Sequence, residues 1–164
     1  VDPVDDAEAV RSQVGFIFQN PQNQIILPIL REDIALGLKS RRLPEAAVEA
    51  AVQGILGRFD IAHLAGRRAH ELSGGELQLA ALASVLVTEP QIVILDEPTN
   101  QLDLKNRALV EATLTGLDES VLVISHDLAL IADFDRVLLF HEGRLLADGL
   151  PSEVIARYRE VAAA

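Results

Sequence analysis

Ile92-Val93-Ile94-Leu95 is a run of β-prone apolar side chains that ends on two carboxylates, Asp96 and Glu97, followed by Pro98-Thr99. Successive side chains of a strand point to opposite faces, so a strand that is apolar at every position asks for cover on both. Val14-Gly15-Phe16-Ile17-Phe18 and Val121-Leu122-Val123-Ile124 have the same character. Together these runs predict an α/β fold with a mostly parallel sheet and helices on its two faces. Leu104 to Leu117 reads as the helix that crosses from the second strand to the third. A helical stretch from about Glu45 through Leu86, broken near Asp60 to Ser73, lies between the first two strands. It is too long for a simple crossover and predicts an inserted helical subdomain. Toward the end, Arg136 to Phe140 and Arg144 to Asp148 flank His141-Glu142-Gly143, a hairpin connection. Pro151-Ser152-Glu153 then opens a last helix, where the missing N–H of a first-turn Pro costs nothing.

Length and composition narrow the function classes. With 164 residues and 49% hydrophobic composition, the chain is long enough to bury a core, and one compact unit is expected. A formal charge of −11 argues against nucleic acid as a partner, because non-specific affinity for phosphate backbones comes from clustered Lys and Arg. Cysteine is absent, which removes disulfides and thiolate metal sites. No apolar run approaches the ~20 residues that cross a bilayer. The start, Val1-Asp2-Pro3-Val4-Asp5-Asp6, is acidic where a signal peptide is basic. Because it opens on Val rather than Met and reaches a strand almost at once, the chain is expected to be part of a longer polypeptide.

The chemistry-bearing residues gather after strands or before a helix. Asp96 and Glu97 sit at the carboxyl end of the second strand, where ligands bind in open α/β sheets. Diverging side chains there can serve a magnesium shell and a water separately. Leu72-Ser73-Gly74-Gly75-Glu76 precedes a helix, Leu77 to Leu86. Glycines permit close backbone approach, and unpaired N-terminal amides with the helix dipole favour an anion. The alternative is an ordinary flexible loop. Gln19, ending the first strand, offers an uncharged amide to magnesium or water. Ser125-His126-Asp127 follows the third strand, but neighbours in sequence do not converge on one reacting atom and no nucleophile elbow is present, so a hydrolase triad is rejected. His63, His70 and His141 lack partners at metal-ligand spacing and read as surface or packing residues.

A phosphate loop, G-x-x-x-x-G-K-[ST], is not found in the 164 residues. The lysines are Lys39 and Lys105, and Lys39-Ser40 follows Leu38 rather than Gly. The polypeptide as written is therefore expected to bind ATP poorly.

The order Gln19, Leu72-Ser73-Gly74-Gly75-Glu76, Ile92 to Glu97, Asn100-Gln101-Leu102-Asp103 and Ser125-His126-Asp127 resembles the ABC transporter ATPase family across nearly the whole chain. The resemblance implies a P-loop NTPase-like (RecA-like) sheet over residues 1–164, missing the family's N-terminal phosphate-loop region, with the Q-loop and helical subdomain at about 20–90. ATP and Mg2+ are its implied cofactors. In it, Gln19 is the Q-loop glutamine and Ser73, Gly74, Gly75 and Glu76 form the signature loop. Asp96 supports magnesium with Gln19, Glu97 is the general base, Asp103 is the D-loop acid and His126 the switch histidine. Two such domains pair head to tail around ATP in the family. Val14 to Gln24, followed by Glu32-Asp33-Ile34-Ala35-Leu36-Gly37, looks like energy-coupling-factor ATPases, importers of biotin, other vitamins, cobalt or nickel, and Gln24 to Pro28 leans to the biotin branch. Implied partners are a second ATPase subunit, a transmembrane coupling subunit and a substrate-binding membrane subunit, with the chain on the cytoplasmic face of the membrane. Glu76 where Gln is commoner, Leu79 where Arg is common and Asn100-Gln101 in place of small residues are departures that bear on rate. A soluble ABC ATPase outside transport and a non-hydrolysing partner module are the competing readings. Finally, Ile25 to Leu30 is either a docking patch rimmed by Arg31, Glu32 and Asp33 or ordinary core.

Overall fold

The computed structural model describes residues 5–163, which divide into two compact units at Ile124 and Ser125. In the first, helix α1 (Ala7–Gln13) runs directly into strand β1 (Val14–Ile17). Strands β2 (Ile92–Asp96) and β3 (Ser120–Ile124) complete a parallel sheet in the order β1-β2-β3. Ile17 pairs with Leu95 and Asp96 with Ile124, so the carboxyl ends of the strands fall in register. The expected sheet is present. Its cover is not what the strand pattern predicts: Gly15, Ile17, Val93 and Leu95 are buried on one face, whereas Phe16, Leu122 and Ile124 on the other remain exposed.

The buried face lies under α4 (Gly74–Leu86), whose Leu77, Leu79, Ala80, Ala81, Leu82, Ala83, Val85 and Leu86 are all buried. A helix apolar around its circumference belongs inside. Helix α5 (Leu104–Thr115) crosses from β2 to β3 and packs on α4 with Val110 and Leu114 buried. The insertion between β1 and β2 is helical, as the pattern predicts, with α3 (Glu45–Arg58) burying Val52, Ile55 and Leu56. It also contains a helix that the pattern does not reveal, α2 (Leu30–Leu36), which buries Leu30, Asp33 and Ile34. Residues just before and within α2 bond to a later loop, Leu30 N–H to Arg67 O at 3.1 Å and Ala69 N–H to Pro28 O at 3.3 Å. The Arg58 guanidinium reaches both carboxylate oxygens of Glu119, at 2.9 and 3.0 Å, and so fastens α3 to the turn ahead of β3.

The second unit starts with α6 (Leu128–Ile131), whose first amides, Ala129 N–H and Leu130 N–H, donate to the Asp127 carboxylate. Strands β4 (Val137–His141) and β5 (Arg144–Gly149) form the expected antiparallel hairpin. Its turn places Glu142 and Gly143 at φ of 48° and 75°, the paired left-handed geometry of a two-residue hairpin loop. Helix α7 (Pro151–Ala162) starts on its Pro and packs on the hairpin through Val154 and Ile155.

Candidate functional site

Gln19 stands exposed just beyond β1. The chain there is fixed by a side chain: Gln24 donates its amide to Phe16 O at 3.1 Å and accepts Phe18 N–H at 3.2 Å, taking the place of a neighbouring strand. Asn20 then caps a short 3-10 turn, Pro21–Asn23, by accepting Gln22 N–H at 3.0 Å.

Ser73 to Glu76 is a built helix start rather than a flexible loop. Ser73 Oγ accepts Glu76 N–H at 3.3 Å, and the Glu76 carboxylate accepts Ser73 N–H at 2.7 Å, a reciprocal capping box. That backbone bond, with a further hydrogen bond from the Ser73 side chain, holds the Glu76 carboxyl below the usual glutamate range. Gly75 is required by space, since a Cβ there would collide with the Asn106 amide and stand 2.8 Å from Asn106 Cβ.

At the tip of β2, Asp96 is half-buried and Glu97 adopts a left-handed φ of 47°. Its N–H donates to Ile124 O at 2.8 Å, so the turn stays fastened to β3. Gln101 has a φ of 61°. Two non-glycine residues held in this region within one short loop are a sign of strain maintained by the surroundings. Asp103 caps α5, accepting Asn106 N–H at 2.8 Å and Asn106 Nδ2–H at 3.0 Å. The carboxylate thereby orients the side chain on which Gly75 rests.

These segments meet in an open cleft of about 330 Å³ lined by Gln19 to Gln22, Gly74, Leu77, Gln78 and Asn100 to Leu102. It unites the first-strand loop, the helix start and the loop after β2. Asp96 ends β2 and Glu97 follows it, ahead of that last loop in the chain, and His126 lies two positions past β3, in the second unit. His63, His70 and His141 are all exposed.

Two residues escape sequence reasoning. Asp33 is not a rim charge: it is 5% exposed and accepts Ile26 N–H, Leu27 N–H and the Ser84 hydroxyl. Gln78 is 3% exposed and its Nε2 has no hydrogen-bond partner among the described residues, a buried donor on the wall of the cleft. A Gln one turn past a capped helix start is the available signal for the second. For Asp33 an acid in an amphipathic run is none. The run Ile25 to Leu30 divides, with Leu30 in the core and Ile26 75% exposed.

Among the described residues, no group of three or more His, Cys, Asp or Glu converges on a metal position. The donors available are the Gln19 amide and the Asp96 carboxylate at the ends of adjoining strands. This set suits Mg2+, which takes one or two protein oxygens and completes its shell with phosphate oxygens and water.

The family model for ABC transporters matches residues 1–100. A biotin transport ATP-binding protein, BioM of Rhizobium etli, is 68% identical over 96% of the chain and 70% of its own length. The energy-coupling factor transporter ATP-binding protein EcfA of Methanothermobacter thermautotrophicus is 38% identical over 92% of the chain and 50% of its own length. Among solved structures, cbiO1 of Clostridium perfringens, described as part of the ABC transporter complex cbiONQ, superposes with a TM-score of 0.83 at 32% identity. The superposition takes in 95% of this chain and 64% of that one. With the strand order, the capped glycine helix start and the acidic strand tip in place, these matches establish that the chain belongs to the ABC transporter family.

Proposed function

We propose that this chain forms part of the ATP-hydrolysing motor of an energy-coupling-factor importer and that the imported vitamin is biotin. The observation that carries the reading is the cleft, where Gln19, Gly74 and Asn100 to Leu102 line one wall system. Biotin is favoured by the 68% identity to a protein named for biotin transport. Glu97 serves as the base that takes a proton from the attacking water, and its fixed turn after β2 limits where that carboxylate can reach. Gln19 and Asp96 hold magnesium, which, when bound, offsets charge on the phosphates. Ser73 to Glu76 presents helix amides to the ATP of a second ATPase subunit, Asp103 supports that loop through Asn106, and His126 contacts the terminal phosphate. Ile26, at the exposed tip of the first-strand loop, meets a transmembrane coupling subunit, which works with a substrate-binding membrane subunit. The chain then acts peripherally on the cytoplasmic face, consistent with no helix among the described residues being long and apolar enough to cross a membrane.

The test is ATP-dependent biotin uptake by vesicles carrying the natural-length protein with its membrane partners. Glu97→Gln keeps the shape and removes the base, so hydrolysis is expected to fall at least ~100-fold while ATP still binds. Unchanged hydrolysis reassigns the base, with His126 next in line; robust uptake of cobalt or nickel and not biotin overturns the substrate.

A further inference from the structure

A buried carboxylate must be hydrogen-bonded, and the partners of Asp33 lie on two different parts of the fold. Its Oδ1 accepts Ile26 N–H at 2.7 Å and Leu27 N–H at 2.9 Å. Its Oδ2 accepts the hydroxyl of Ser84, in α4, at 3.0 Å. That hydroxyl also lies 3.1 Å from Ala80 O, so one proton is shared between the helix's own carbonyl and the Asp33 carboxylate. The other end of the same short loop is fastened by Gln24 to Phe16 O and Phe18 N–H, beside Gln19. Residues 24–27 are therefore tied at one end to β1, which leads into Gln19, and at the other to the helix that starts at Gly74. Between the ties, Ile26 is 75% exposed, an apolar side chain that core packing does not account for.

We propose that Asp33 is a positioning residue that couples α4 to the loop carrying Ile26, so that a displacement of the glycine-headed helix is passed to that side chain. A charged acceptor suits this task because hydrogen bonds to a carboxylate are shorter and stronger than neutral ones. Backbone amides as donors leave little slack, since they move only with the chain itself. The tie stands on this geometry alone; what Ile26 touches rests on the importer reading.

The decisive variant is Ser84→Ala in the natural-length protein, which cuts the helix leg and leaves both loop bonds in place. Amide hydrogen exchange at Ile26 and Leu27 should quicken several-fold, and roughly tenfold or more in Asp33→Ala, where the amides lose a charged acceptor. Asp33→Asn is the rescue, because its Oδ1 still accepts both amides and its NH2 donates to Ser84 Oγ. In vesicles with the membrane partners, Ser84→Ala should keep its ATP hydrolysis and lose transported biotin per ATP, with Asp33→Asn restored toward the parent. A purely structural Asp33 would shift the melting temperature and leave that ratio alone. Unchanged exchange at Ile26 and Leu27 in Ser84→Ala overturns the tie, and an unchanged ratio overturns its part in coupling. If the parent itself neither transports nor assembles, the importer reading fails, and the exchange measurement still decides the tie.

Discussion

At Glu76 two electrostatic demands meet on one group of atoms. The carboxylate completes the cap by accepting Ser73 N–H at 2.7 Å, and it lies at the positive end of α4. A phosphate approaching that helix start needs the same amide and the same field. Glu76→Gln keeps an acceptor and removes the charge. It is expected to cost about 0.3–1 kcal/mol of stability at neutral pH and to tighten ATP-dependent pairing with a second ATPase subunit. The pH dependence has a definite sign. Because the folded-state carboxyl is held below the ordinary glutamate range, its stabilisation is complete above that range and is lost as pH falls through the lowered value. Parent and variant melting curves should therefore converge in acid; a gap that widens there contradicts the assignment. Gly75 is a second residue whose type is set by contact. Gly75→Ala drives a methyl into Asn106 and should cost about 1–3 kcal/mol in a denaturant titration. Asn106→Ala in the same chain should recover part of the loss, because the amide that collides is gone. Full additivity would show that the two side chains do not meet.

The inserted helices are joined to the sheet unit by identifiable bonds, of which Arg58 to Glu119 is the most direct. Its two parallel contacts, at 2.9 and 3.0 Å, bridge the end of α3 and the turn before β3. The Arg58 hydrogen bond is the main reason that the Glu119 carboxyl sits below its usual range. Arg58→Ala should lower stability by about 1–3 kcal/mol at neutral pH. That loss should shrink as pH falls through the depressed Glu119 value, since a protonated Glu119 no longer needs the guanidinium. Calorimetry at neutral and acid pH reads both halves; an equal loss at both would make the effect one of packing. Elements of this size are where sequence patterns speak clearly. β1, β2, β3, the hairpin, α3, α4 and α5 all follow from apolar runs, glycine turns and helical periodicity. α2 does not, and the reason is Asp33. Leu30, Asp33 and Ile34 share its buried face, and an acid at a core position reads as solvent-facing until its backbone donors at Ile26 and Leu27 are known. The cleft is legible as an order of motifs. Its geometry is not, because no local pattern states that Asp103 would spend its carboxylate on Asn106 or that Gln78 would reach the wall with a bare N–H.

On the scale of the molecule, the strand pattern asks for more cover than the sheet receives. Phe16, Leu122 and Ile124 are 39%, 46% and 51% exposed on one face, next to Ile94. A contiguous apolar face of this kind marks a surface suited to contact with another protein element. ATP affinity in P-loop folds comes mainly from backbone amides wrapped around the phosphates and a lysine on the terminal ones. The lysines in these 164 residues are Lys39 and Lys105. Lys39 opens a 3-10 turn, Lys39–Arg41, shortly after α2, and Lys105 lies in the first turn of α5; neither follows a strand in the manner of a phosphate loop. In the proposed arrangement Gln19, the Ser73 helix start and the loop from Glu97 to Asp103 serve other sides of a triphosphate, and none of them replaces that grip. The 164-residue polypeptide by itself is therefore expected to show negligible magnesium-dependent ATP hydrolysis and weak ATP binding. Steady-state turnover and equilibrium binding of a fluorescent ATP analogue check this directly. A turnover of about 1 per second or faster, at the low end for ordinary enzymes, would mean that these residues grip the phosphates by a route that their arrangement does not contain.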